Sequence, residues 1–161
     1  MKLVLPYLVW IKGEIIISEI KLIIDNDVLD KYHEYYFKKY PKRKAIPIKK
    51  IIPPSLNDWT SMIRMAQADL KKKYKEFAIW LAEYYKINNL NLENSCITYT
   101  FYFKDKRRRD FDNLLLTPKL LNDGFVEANV LVDDSGDKLR LIFDPFQHDK
   151  LNPRVEMLLE Y

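Results

Sequence analysis

Residues 97–103 alternate without interruption. Ile97, Tyr99, Phe101 and Phe103 are large and apolar, and Thr98, Thr100 and Tyr102 stand between them. A period of two is the pattern of a pleated backbone, whose successive side chains point to opposite faces, so this segment reads as a half-buried strand. One face carries four bulky side chains and needs a second layer to cover it. Residues 59–85 supply one. Trp59, Met62, Ile63, Ala66, Leu70, Tyr74, Phe77, Ala78, Leu81 and Tyr84 recur there at three- and four-residue steps, which predicts one long amphipathic helix with Trp59 and Trp80 in the core. Lys71, Lys72, Lys73 and Lys75 lie mostly off that stripe.

The remaining elements follow from local signals. Residues 1–24 read as two strands around a turn at Lys12-Gly13, the second strand rich in isoleucine. Asn26 or Asp27 caps a short helix that Pro41 ends. Residues 46–52 are expected to form a strand stopped by Pro53-Pro54, and Ser55-Leu56-Asn57-Asp58 a turn and helix cap. The asparagine-rich stretch 88–95 is a loop. A second helix is expected from Asn113 to Gly124, with Gly124 just past its end, and short strands near 129–133, 138–143 and 154–160. Strands interleaved with a few helices give an α+β or α/β domain built on one sheet, and the expectation taken is α+β: a single mixed β-sheet with flanking helices. Residues 1–45 read as an N-terminal extension of two strands and a short helix with a basic end, and 46–161 as the main domain.

Charge is more informative by position than by total. The net charge is only +4, yet residues 38–50 hold Lys38, Lys39, Lys42, Arg43, Lys44, Lys49 and Lys50 with no acidic residue among them. Clustered cations attract polyanions, although a run of this kind also serves as a solvated face. The one cysteine, Cys96, excludes an internal disulfide and a multi-cysteine metal site, and reads as an inert thiol in a strand. The opening apolar run is broken by Pro6 and lacks a small-residue cleavage signal, and no apolar stretch is long enough to cross a bilayer. A cytoplasmic protein without membrane attachment is expected. His33 and His148 have no second histidine at metal-ligand spacing. Tyr35, Tyr36, Phe37 and Tyr40 interleave with lysines in a way that suits either base stacking or packing.

The chemistry is concentrated in Arg107-Arg108-Arg109-Asp110-Phe111-Asp112-Asn113. On extended backbone Asp110 and Asp112 share a face. Two adjacent carboxylates repel each other, and a hard divalent cation such as Mg2+ removes the conflict. A third carboxylate is available at Asp133-Asp134, after the apolar run Val130-Leu131-Val132. Three aspartates around a metal, with Lys119 to stabilise charge on a phosphate, would be a phosphodiesterase constellation. Arginine forks match phosphate geometry, so three of them beside the site suit a nucleic-acid backbone. The plainer alternative is that Arg107, Arg108 and Arg109 only pair with Asp105, Asp110 and Asp112 as surface salt bridges.

These residues resemble a known family. Arg108-Arg109-Asp110-Phe111-Asp112-Asn113, then Lys119, Asp123-Gly124-Phe125 and Val132-Asp133-Asp134, are similar to the RusA family of Holliday-junction resolvases, often carried by phages and prophages. Pro53-Pro54-Ser55-Leu56-Asn57 resembles that family's turn after its first strand, and residues 149–156 its closing segment. The resemblance covers about residues 46–161. It implies a RusA-like fold and a homodimer that places paired nicks across a four-way junction with Mg2+ or Mn2+. By the same resemblance Asp110, Asp112 and Asp134 would be the metal-binding catalytic carboxylates and Lys119 the catalytic lysine. Asn113 would order the turn that positions Asp112, and Asn57 would support the site from its own turn. DNA contacts fall to Arg107, Arg108, Arg109 and to Lys42, Arg43 and Lys44. One departure stands out. The best-known form of the family has its lysine four residues after the second aspartate, where this chain has Leu116. Lys119 is seven residues after Asp112, a shift that an insertion of Leu-Thr-Pro accounts for.

Two alternatives remain beside the resolvase expectation: a nuclease for other branched DNA, such as flaps or forks, and a junction-binding protein without catalysis. A small-molecule metal phosphatase would use the aspartates but leave the basic stretches without a role.

Overall fold

A computed structural model describes residues 18–161, so the first expected strand and the turn at Lys12-Gly13 lie outside the described residues. Strand β1 (Glu19–Ile24) runs directly into helix α1 (Asn26–Lys39). Asp25 makes that turn sharp, because its carboxylate accepts from the Val28 amide at 2.9 Å and caps the helix. Helices α2 (Leu56–Ser61) and α3 (Arg64–Tyr84) follow, then strand β2 (Ser95–Phe103), a short 3-10 helix (Phe111–Leu114), helix α4 (Leu116–Glu127) and strands β3 (Leu139–Phe143), β4 (Gln147–His148) and β5 (Arg154–Glu160).

The strands form one mixed, open sheet in the order β1-β5-β2-β3. β5 pairs antiparallel with both β1 and β2, whereas β3 and then β4 run parallel to β2 along its other edge. The β2–α4–β3 segment is therefore a crossover unit, as parallel neighbours require. Register aligns the apolar faces. Tyr99 sits opposite Met157, which sits opposite Leu22, and Phe101 opposite Val155, which sits opposite Ile24. All six are almost wholly buried and join the core with Tyr74, Phe77, Leu81, Leu120 and Phe125 from the helices. The architecture is thus α+β with a single mixed sheet and flanking helices.

β1 and α1 belong to this same sheet and core, with Tyr32 of α1 packed edge-on against Phe77 of α3 at 4.9 Å. Tyr36 of α1 is buried and Tyr35, Phe37 and Tyr40 pack against the core, which favours packing over base stacking for that aromatic group.

Several expectations about elements are corrected. Residues 46–52 form no strand. Pro47, Pro53 and Pro54 remove ladder donors, and the segment's carbonyls are taken by side chains instead. Ile48 O bonds His33 Nε2 at 2.8 Å, and Lys50 O accepts from the Tyr74 hydroxyl at 3.4 Å. The long helix is broken at Met62-Ile63, both extended. Ser61 Oγ donates to the Asp58 carbonyl and Gln67 Nε2 to the Trp59 carbonyl, so carbonyls that would continue the ladder are already occupied. Ile63 is consequently exposed and Trp59 only half-buried, while Trp80 is buried. Finally, Gly124 lies inside α4 rather than past its end. A side chain there would meet Ala78 Cβ at 2.5 Å, so the glycine permits α4 to cross α3 closely. Residues 129–133 contribute only a single bridge, Leu92 to Leu131.

Candidate functional site

β2 delivers the chain from the core to the charged loop. Its last residue, Phe103, is buried, and Lys104, Lys106, Arg107 and Arg108 beyond it are exposed. Asp105 organises the loop. Its carboxylate accepts from the Arg107 amide at 3.0 Å and from the Arg109 guanidinium at 2.6 Å, and Arg109 also donates to the Arg107 carbonyl at 2.8 Å. These bonds, the Arg109 contact first, hold the Asp105 carboxyl below its ordinary range. The salt-bridge alternative is thus realised for Arg109, which is tied into its own loop over the Phe103 ring. Arg107 pairs with the Asp105 carboxylate only loosely, at 3.9 Å, and 84% of its side chain is exposed.

Asp110 and Asp112 flank Phe111 at the start of the 3-10 helix, and both are exposed. The Asn113 amide donates to Asp112 Oδ1 at 2.9 Å, so the backbone of Asn113 steadies Asp112. Pro53 and Ser55 meet Phe103, Arg108, Arg109, Asp110, Asn113 and Leu114 around a cavity of about 260 Å3. The proline-serine turn and the arginine-aspartate block, some fifty residues apart, therefore share one concave site. Asn57, in the exposed first turn of α2, does not line it. Ser55 and Asp58 hold that turn through a reciprocal capping box.

Lys119 is exposed on α4, on the side that carries Leu115 and Asp123. Lys42, Arg43 and Lys44 are exposed on the turn after α1 and do not line the cavity.

Asp134 is not brought to Asp110 and Asp112. The Phe111 ring lies 6.4 Å from Phe143, the last residue of β3, which places the pair of aspartates at that strand's carboxyl end. Asp134 lies in the loop that precedes β3, where Lys138 O accepts from Ser95 N. β3 between them spans about 13 Å at roughly 3.3 Å per residue. Asp133 turns its carboxylate back on the Asp134 amide and the Ser135 hydroxyl, and Asp134 stays exposed. Among the described residues no group of three or more histidine, cysteine, aspartate or glutamate side chains is gathered to hold a metal ion. Asp110 and Asp112 offer the hard oxygen donors that Mg2+ prefers. One chain as folded does not complete the three-carboxylate centre implied by the resemblance.

Two residues of the site carry more than the sequence signalled. Asp105, a lone acid in a basic run, is the loop's organiser. Phe111 is 44% exposed and lies against Phe146, ring centres 4.2 Å apart. Cys96 is half-buried, and burial pushes its thiol pKa up, in keeping with an inert role. No described helix is long and apolar enough to cross a membrane. Comparison with protein-family models and with curated proteins gives no match to this chain.

Proposed function

We propose that this chain is a RusA-like endonuclease that grips branched DNA at the loop between β2 and α4 and nicks it there as a homodimer. One observation carries the reading: Arg108, Arg109 and Asp110 line a concave site with the Pro53–Ser55 turn, and exposed Arg107 and Asp112 adjoin them in the chain. The place is chemically apt. In open sheets, ligands bind outside the carboxyl ends of parallel strands, where the crossover loop leaves the sheet. The arginines would take the phosphates and fix register, and the carboxylates would face the strand to be cut.

Asp110 and Asp112, with water and a DNA phosphate, would hold the Mg2+ or Mn2+ expected for such an enzyme. A second copy of the chain, presenting its Asp134, would supply the third carboxylate that the resemblance implies. The separation also favours a second reading, a junction-binding protein without catalysis, in which the arginines act and the aspartates do not.

A labelled synthetic four-way junction beside a linear duplex separates the two. The endonuclease reading expects paired nicks in the junction alone, with Mg2+ or Mn2+, lost in Asp112→Asn while binding persists. Tight, salt-sensitive binding by wild type without any cut in either metal would leave the non-catalytic reading. Equal cutting by wild type and Asp112→Asn would remove the site from Asp112 altogether.

A further inference from the structure

Phe111 is misplaced by the ordinary rule that phenylalanine packs inside. It sits between two exposed aspartates and three positions after Arg108, yet nearly half of its surface meets solvent. Its orientation is not accidental. An aromatic ladder rises from the core: Phe101 stacks on Phe103 at 6.3 Å and on Phe143 at 6.4 Å, and Phe103 meets Phe146 edge-on at 5.4 Å. Phe146 backs Phe111 at 4.2 Å, and the 3-10 helix fixes the backbone beneath it. The result is a supported, partly exposed aromatic ring, with Arg107 and Arg108 four and three positions before it in the chain.

We propose that Phe111, backed by Phe146, is a stacking platform for one nucleobase that has left the duplex at a DNA branch. This rests on the DNA-binding reading above and adds the means by which branched DNA is told from linear duplex. Base faces in a duplex are covered by their neighbours, and only an unpaired or unstacked base offers a free π-face. The charges sort the two halves of the nucleotide. The neutral base takes the ring while its backbone falls to Arg107 and Arg108. Phenylalanine has only two side-chain torsions and Phe146 already restrains it, so little freedom is lost on binding.

The test uses the full chain and three DNAs of one sequence: a four-way junction with 2-aminopurine at the branch, a single strand with the same label, and a closed duplex. Wild type should change the 2-aminopurine emission of the junction by stacking. Phe111→Ala should abolish that change and weaken binding to junction and single strand by roughly 5- to 100-fold, with duplex binding and the salt slope unaltered. Phe111→Leu keeps the packing on Phe146 but not the π-face and should behave like the alanine variant, whereas Phe111→Trp should restore the signal. Salt-sensitive junction binding by wild type that Phe111→Ala and Phe111→Leu leave intact would overturn the platform and spare the DNA reading. Equal weakening on all three DNAs would also overturn it. Failure of wild type to bind any of the three would end both.

Discussion

The guanidinium of Arg109 lies 3.9 Å from the centre of the Phe103 ring, over the last residue of the central strand. Asp105 holds it there at 2.6 Å. Of the three consecutive arginines, this one is spent on the loop's own architecture; Arg107 touches Asp105 only loosely at 3.9 Å, and Arg107 and Arg108 are exposed.

That division has a measurable consequence. Arg109→Ala removes a cation–π contact and a charge-assisted pair, and should cost about 1–2 kcal/mol of folding stability along with DNA affinity. Arg107→Ala and Arg108→Ala should change stability by less than about 0.5 kcal/mol, yet each should lower the slope of log affinity against log salt by about one. Urea unfolding and salt-titrated binding check the two sides. Equal stability for all three variants would show that Arg109 is not structural.

Glu156 gives the fold an acid limit. Burial pushes its carboxyl up, but Lys21 at 2.6 Å and Arg154 at 2.7 Å outweigh burial and hold it below its ordinary value of 4.5. A depressed folded pKa means stability that is present at neutral pH and is lost as pH falls below about 4.5 and through the folded value. Glu156→Gln should therefore cost about 1–2 kcal/mol at pH 7, since it leaves Arg154 short of a partner, and the gap to wild type should close in acid. A gap that stays constant from pH 7 to pH 3 contradicts the ion-pair account.

Gly124→Ala tests the helix crossing. Alanine is intrinsically better in a helix by about 1 kcal/mol. Here the new methyl would meet Ala78 Cβ at 2.5 Å and the Lys75 carbonyl at 2.8 Å. Overpacking should win, with a net loss of about 1–3 kcal/mol. Adding Ala78→Gly should recover part of it. A stabilised single variant would mean that α3 and α4 do not approach this closely.

The distance between Asp112 and Asp134 makes a prediction about two chains. If both serve one centre, each comes from a different copy. Asp112→Asn and Asp134→Asn proteins, each inactive alone, should regain cutting when mixed under exchange, because the mixed dimer keeps one intact pair. Its product should be a single nick rather than paired nicks. No recovery in a mixture shown to exchange subunits would rule out a shared centre.

The alternation of residues 97–103 and the helical stripe around Tyr74, Phe77 and Leu81 were enough to define the central strand, its covering helix and the α+β class. Such periodicities are local, and burying one face leaves few arrangements open. The loop at 88–95 and β5 were legible for the same reason, whereas the helix after β1 is capped by Asp25 rather than by Asn26 or Asp27. The break at Met62-Ile63, the missing strand at 46–52 and the interior position of Gly124 were not. Each depends on a partner remote in sequence or on competition for one carbonyl: Tyr74 and His33 for the 46–52 strap, Gln67 for Trp59 O, Ala78 for Gly124. The site divides in the same way. The arginine and aspartate block announced a charged locus through composition alone. Only the tertiary structure assigned Arg109 to Phe103, exposed Phe111 on its aromatic ladder, and set Asp134 before the strand whose far end carries Asp110 and Asp112. Sequence spacing fixes which side chains share an element, whereas which elements meet end to end is decided by how the strands pair.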